Sequence, residues 1–116
     1  MPHIHLEATP NAIANTDVVL VLRQLTSKLS SFESVDAASV KSYYTERPTY
    51  VMGEGAQKGF VHCTVAIISG RPPELKDSIA RGMMEVLEHW FGRKRELHQA
   101  SITLELREMD RETYQK

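Results

Sequence analysis

The sequence is poor in cysteine, in net charge and in long apolar runs. Cys63 is the single cysteine among 116 residues. No disulfide framework can therefore form within the chain, and a reducing compartment is the natural setting. The formal net charge is −1, which offers little attraction to a nucleic-acid backbone. The one short basic run, Arg93-Lys94-Arg95, does not change that in a near-neutral chain. No apolar run reaches the ~18 residues of a membrane span. The N-terminal stretch, Met-Pro-His-Ile-His-Leu-Glu, lacks the basic and apolar regions of a secretory leader. Low-complexity segments are absent as well. These absences predict a soluble, cytoplasmic protein with neither a nucleic-acid nor a membrane partner.

What is present reads as an ordinary globular domain: 41% hydrophobic and 25% charged residues. A single domain over residues 1–116 fits this length. A domain so small buries only about two-thirds of its unfolded surface, so oligomerisation would add useful burial. Ile4 and Leu6 alternate with His3, His5 and Glu7, the pattern of a half-buried strand. Residues 9–15 read as a loop, with Asn15 or Thr16 placed to cap a helix. Val18, Leu22, Leu25 and Leu29 follow with helical spacing. Val40 to Val51 reads as extended, with Pro48 marking an edge or a bulge. Gly53, Gly55 and Gly59 punctuate a turn.

The plan then repeats. Phe60 to Ile68 is a nearly continuous apolar strand, as expected where both faces are buried. Pro72 and Pro73 suit the first turn of a helix. Leu75, Ile79, Met83, Val86, Leu87, Trp90 and Phe91 form its apolar stripe, and Gly92 is the expected stop. Arg93-Lys94-Arg95 then follows that stop, where positive charge favours the helix dipole. Ile102, Leu104 and Leu106 alternate along a last strand. From Asp110 the tail is polar and is expected to fray. Two β-α-β halves, about 2–52 and 60–109, predict an α+β fold: a four-stranded mixed sheet with two helices on one face. A symmetric oligomer would cover the other face.

The chemistry lies at the N-terminus. Methionine is normally removed before a small second residue, and proline qualifies. Pro2 would then carry a free secondary amine at the first residue of a strand. Burial and a neighbouring Arg or Lys both lower the pKa of such an amine, and a value near the working pH suits a general base. Met-Pro alone more often means only efficient processing.

Met-Pro-His-Ile-His-Leu-Glu, Thr49-Tyr50-Val51-Met52 before the glycine turn, Phe60-Val61-His62-Cys63-Thr64, and Ser69-Gly70-Arg71 opening a helix stand in an order and spacing that resemble the 5-carboxymethyl-2-hydroxymuconate delta-isomerase family of the tautomerase superfamily. The resemblance runs from Pro2 to about Glu108. It implies a homotrimer whose sheets form a central barrel, with active sites near subunit contacts. It also implies an isomerase without metal or cofactor that moves a double bond in a small anionic dienol, a dicarboxylate or tricarboxylate held by arginines, during homoprotocatechuate degradation. Carried over by residue, Pro2 matches the proton shuttle. Arg71 matches a carboxylate-binding arginine, for which a planar guanidinium is suited; outside the family it would read as a helix-start arginine facing solvent.

The chain departs from the family at Lys41, where an arginine is usual. Lysine keeps the charge and loses the planar fork, so Lys41 reads either as a looser carboxylate binder or as a solvent-facing strand residue. Arg47 is close enough in sequence to substitute. His3 is expected to shape the pocket or to hydrogen-bond near the proline. Tyr43, Tyr44 and Tyr50 either line a pocket or pack on the sheet, with Tyr43 a candidate substrate contact. Three imidazoles, His3, His5 and His62, have metal-ligand chemistry, but no further ligand motif supports a metal site. Cys63, inside an apolar strand, reads as a buried small hydrophobe. Two competing readings stay open: a tautomerase acting on another enol, such as an enolpyruvate or a smaller muconate, and a trimeric homologue that binds ligand without catalysis.

Overall fold

Four strands and two long helices account for most of the chain, described over residues 1–116 by a computed structural model. Strand β1 (His3–Ala8) is followed by a short helix α1 (Pro10–Ile13), helix α2 (Val18–Ser30) and strand β2 (Lys41–Glu46). Strand β3 (Phe60–Ile68), helix α3 (Pro73–Glu96) and strand β4 (Ser101–Met109) complete the second half. The sheet order is β2-β1-β3-β4, with β1 parallel to β2, antiparallel to β3, and β3 parallel to β4. This is the mixed four-stranded sheet expected from the two β-α-β halves.

One face of the sheet carries the core. Ile4, Leu6 and Ala8 of β1 and Val61, Cys63, Val65 and Ile67 of β3 are buried under Val21, Leu25 and Leu29 of α2 and Ile79, Met83, Leu87 and Phe91 of α3. The helical spacing thus does its work: both stripes turn toward the sheet and bury against it. The opposite face carries His3, His5 and Glu7 of β1 beside Lys41, Tyr43 and Thr45 of β2 and His62 and Thr64 of β3. Within a single chain, β3 is therefore buried on one face only. Val61, Cys63, Val65 and Ile67 are buried, whereas Phe60, His62, Thr64, Ala66 and Ile68 are only half-buried. The run looks continuous because Phe60, Ala66 and Ile68 are apolar residues on the open face.

Several local expectations give way to specific contacts. Residues 9–15 are not all loop, since Pro10 starts a helical turn at its N-terminal position. Asp17, rather than Asn15 or Thr16, caps α2: its carboxylate accepts from the Leu20 N–H at 3.1 Å. Asn15 instead takes a positive φ of 61° in the turn between α1 and α2. The second strand is shorter than Val40–Val51. The Arg47 N–H makes a bond to the Ala8 carbonyl, at 2.9 Å, and Pro48, having no N–H, cannot extend the ladder.

Gly92 does not end α3. The helix runs on to Glu96 and closes with the Leu97 N–H on the Arg93 carbonyl, while His98 adopts a φ of 57°. Arg93-Lys94-Arg95 accordingly lies inside the last turn, where cations complement the helix dipole. Lys94 Nζ also donates to the carbonyls of Ala12 and Ala14, at 2.6 and 2.8 Å. The Ala14 carbonyl also accepts from the Thr16 hydroxyl, at 3.4 Å, so Lys94 helps satisfy the carbonyls at the end of α1. No helix is long and apolar enough to cross a membrane.

Candidate active site

The topology brings four chain segments to one edge of the sheet. Parallel β1 and β2 begin there, and β3 and β4, antiparallel to β1, end there. Helix α3 starts just beyond, after Gly70-Arg71-Pro72. Pro2 is buried at this edge. Its carbonyl accepts from the Lys41 N–H at 3.1 Å, so the β1–β2 ladder fixes the proline beside Lys41. His3 and Lys41 stand opposite one another in register.

A cleft of about 590 Å³ opens over this edge. Its polar lining comes from Met1, Ser34, Arg71, Arg111, Tyr114 and Lys116, and Ile68, Pro72 and Leu75 supply apolar wall. No Asp or Glu side chain lines it. The Met1 ammonium is held below the ordinary α-amine range, first by desolvation, then by the positive Lys116, Arg71 and Lys41, with Asp36 opposing. His3 is also pushed down, by burial first and then by Lys41 and the terminal ammonium. Its ring is therefore neutral near pH 7. His3 Nε2 lies 2.9 Å from the Tyr114 hydroxyl.

Arg71 is held in place by its neighbours. Nε donates to Ser34 Oγ at 3.1 Å, Nη2 to the Ser34 carbonyl at 3.1 Å and Nη1 to the Ile68 carbonyl at 3.0 Å. A guanidinium has five N–H donors, so the remaining ones are free for a ligand. No carboxylate lies within ion-pair distance of Arg71, unlike Arg47, Arg81 or Arg107. The geometry therefore presents a fixed guanidinium without an ion-pair partner, in a cleft lined by no Asp or Glu side chain.

The structure gathers Pro2, His3, Lys41 and Arg71 at one edge and separates others from it. Arg47 lies past the far end of β2 and is paired with Glu7 at 2.7 Å, so it does not substitute for a cation at position 41. Tyr43 sits farther along the open face, its ring 4.9 Å from His5 and 6.4 Å from His3; of the predicted site residues only Arg71 lines the cleft itself, with Pro2, His3 and Lys41 at the adjoining strand ends. Tyr44 is partly buried against the core, and the Tyr50 hydroxyl donates to the Lys58 carbonyl. His62 registers opposite Glu7, and no group of three or more His, Cys, Asp or Glu residues is arranged to hold a metal ion. Burial pushes the Cys63 thiol up to about 12, which denies it thiolate chemistry.

The polar tail does not fray as its composition predicts; it forms one wall of the cleft. The Asp110 carbonyl accepts the Tyr114 N–H at 3.0 Å, and Arg111 and Tyr114 reach back to Ser69 and His3. Sequence reasoning missed Arg111, Tyr114, Lys116 and Ser34 because polar residues in an irregular segment carry no periodic signal. An aromatic residue and two basic residues within the last six positions were the available cue.

A tandem β-α-β sheet with cations gathered at the chain start defines a protein of the tautomerase superfamily. The pattern of the 5-carboxymethyl-2-hydroxymuconate isomerase family matches residues 2–116. The chain belongs to that family and is an isomerase. A solved 5-carboxymethyl-2-hydroxymuconate isomerase from Deinococcus radiodurans R1 shares the fold with a TM-score of 0.89 at 20% identity, over 99% of this chain and 87% of that one. A solved 5-carboxymethyl-2-hydroxymuconate delta-isomerase gives 0.87 at 14% identity, over 100% and 87% of the two chains. A fused 4-OT described as a symmetric trimer gives 0.65 at 20% identity, over 93% and 85%. Among curated protein sequences none matches this chain.

Proposed function

We propose that the protein, after loss of Met1, is a cofactor-independent tautomerase whose Pro2 amine moves a proton on 5-carboxymethyl-2-hydroxymuconate or a similar dienol carboxylate. Such a reaction belongs to aromatic catabolism of the homoprotocatechuate type, in the cytoplasm. The observation that carries this reading is the terminal residue's place beside Arg71 and Lys116 in a cleft lined by no Asp or Glu side chain, with Lys41 adding positive charge and only Asp36 opposing it.

The chemistry follows from that arrangement. With Met1 attached, the Pro2 nitrogen is an amide and has no basicity. Once free, it becomes a secondary amine beside the same cations and the same apolar wall. Both effects disfavour its protonated form. The amine takes a proton from the substrate, leaving a dienolate whose negative charge the cations stabilise. That proton is the enol hydroxyl's; the ammonium delivers it to a carbon of the conjugated system, so the enol C–O becomes a ketone and the double bond shifts. Proton and electron counts are unchanged, so no cofactor is required. Arg71 binds a substrate carboxylate, and Lys41 adds charge with less control of orientation. Neutral His3 is positioned by Tyr43 and Tyr114 and shapes the entrance.

A homotrimer is part of the proposal. The polar face of the sheet has no cover within the chain, β2 is an edge strand, and Val51 is 96% exposed. The symmetric-trimer description of the 4-OT structure supports the same reading. Lys41, where the family has arginine, favours one variant of the function: the same proton transfer on a smaller enol acid.

An ultraviolet assay of dienol-to-enone conversion, on mass-verified protein lacking Met1, tests the reading. Conversion of 5-carboxymethyl-2-hydroxymuconate is expected to fall by at least about 100-fold in Pro2→Ala, within the usual worth of a general base. Equal rates in both proteins would remove Pro2 from the mechanism. Conversion of smaller enol acids alone would select the variant substrate, and conversion of none would leave a binding protein.

A further inference from the structure

The tail after β4 contributes one side chain whose chemistry the proton-transfer scheme leaves unused. Of residues 110–116 only Tyr114 is not exposed. Its ring turns back over the first strand and meets the His3 ring edge-on, with centroids 6.2 Å apart. Its hydroxyl lies 2.9 Å from His3 Nε2, and Tyr114 lines the same cleft as the first residue of the chain. A polar terminal segment ordinarily leaves such a residue in solvent.

The tail holds Tyr114 there through a pinned turn. The Asp110 carbonyl accepts the N–H groups of Thr113 and Tyr114 at 3.3 and 3.0 Å, and the Asp110 carboxylate accepts that of Glu112 at 3.0 Å. Arg111 fixes the base of the turn, with Nε and Nη2 donating to the Ser69 carbonyl at 3.2 and 3.1 Å. Gly70 makes room for that anchor: a Cβ there would come within 3.1 Å of Arg111 Nη2, and its φ of 117° is itself unfavourable for other residues. Two side-chain hydroxyls line the cleft, those of Ser34 and Tyr114. Ser34 is engaged by Arg71 through both Oγ and its carbonyl. The Tyr114 hydroxyl has His3 alone as partner. A neutral imidazole carries one N–H. With that hydrogen on Nε2, His3 donates to the phenol oxygen, and the phenol hydrogen is free to turn into the cleft.

We propose that Tyr114 is a further catalytic residue, a neutral hydrogen-bond donor to the enol oxygen of the substrate, with His3 as its positioning residue. The inference rests on the reading of Pro2 as the proton carrier. When Pro2 takes the enol proton, that oxygen is left with negative charge until a carbon is protonated. The Tyr114 O–H donates to it through this interval and keeps its own proton, so the proton count of the reaction is unchanged. A donor aimed where charge develops favours the transition state over the bound substrate.

Tyr114→Phe in the Met1-free protein tests this, because it removes the hydroxyl and keeps the ring and the turn on Asp110. In the ultraviolet assay kcat is expected to fall about 100-fold with KM near the wild-type value, the mark of an interaction made in the transition state. His3→Gln, which keeps an N–H for the phenol oxygen, should retain about tenfold more kcat than His3→Leu, the worth of one hydrogen bond. A raised KM with unchanged kcat in Tyr114→Phe, as for a tail that only walls the cleft, would overturn the proposal. Calorimetry with ligands that do not react gives a readout independent of turnover. Wild type is expected to bind the preferred enantiomer of 2-hydroxyhexanoate about fivefold more tightly than hexanoate, through one hydrogen bond. Tyr114→Phe should erase that preference and leave hexanoate binding unchanged. A preference that survives in Tyr114→Phe, or none in wild type, would overturn the contact. A preference lost in Tyr114→Phe, beside a wild type that converts no dienol, would refute the proposed reaction and sustain Tyr114 as the donor to the ligand's oxygen.

Discussion

Lys41 and His3 face each other across the parallel β1–β2 pair, and their charges are coupled. Burial and the Lys41 ammonium both hold His3 below the ordinary imidazole range. Lys41→Gln is therefore expected to raise the His3 titration midpoint, which proton NMR of the ring can follow. An unmoved midpoint would place the Lys41 amine away from His3. The sign for stability follows from the same shift. With a depressed native pKa, the unfolded chain binds more protons below about 6.5. His3 therefore disfavours the fold progressively as the pH falls through that value, and has no such effect above it. At pH 7 the neutral ring keeps one nitrogen free of a proton, and Nε2 and the Tyr114 hydroxyl can share a single hydrogen between them.

Helix α3 shows where local signals and tertiary context part. Its apolar stripe is legible because Ile79, Met83, Leu87 and Phe91 recur at helical spacing and all bury on the sheet. Its end is not. Gly92 is the natural stop by type, but the helix continues through it for another turn, held by Lys94 on the carbonyls of α1. The turn that ends it uses His98 at positive φ, a weaker signal than glycine although histidine is enriched in that region. Gly92 has open space around it: a methyl group added there would meet only Glu88 Oε2, at 3.8 Å. Gly92→Ala is therefore expected to stabilise the fold by about 0.8 kcal/mol, the helix-propensity difference. Denaturant melts would show a higher midpoint with an unchanged slope; a lower midpoint would mean that the glycine serves a close contact.

The strands are legible for a related reason. Alternation in β1 and β4 reports one covered face directly. β3 reads as continuous because three apolar residues occupy the side that one chain leaves open. Of the site, the N-terminal proline and Arg71 are legible through their motifs, and their convergence with Lys41 follows from the parallel β1–β2 register. The tail is invisible for want of any period. Its order comes from single contacts, such as Arg111 on Ser69 and Tyr114 on His3, that only the folded topology can bring about.

Taken as one object, the molecule spends its symmetry on one edge. Two β-α-β halves in antiparallel register send two strand starts and two strand ends to the same place. That edge collects the chain start, a helix start and the tail, and with them the cations. A near-neutral chain thereby builds a strongly positive cleft around its first residues. The central claim is that this field and the surrounding burial turn an ordinary secondary-amine terminus into a base near neutral pH. Nitrogen-15 NMR titration of Pro2 in protein lacking Met1 tests it most directly. The account predicts a midpoint below the ordinary α-amine range of about 7.7–8.0. A midpoint within or above that range would contradict it.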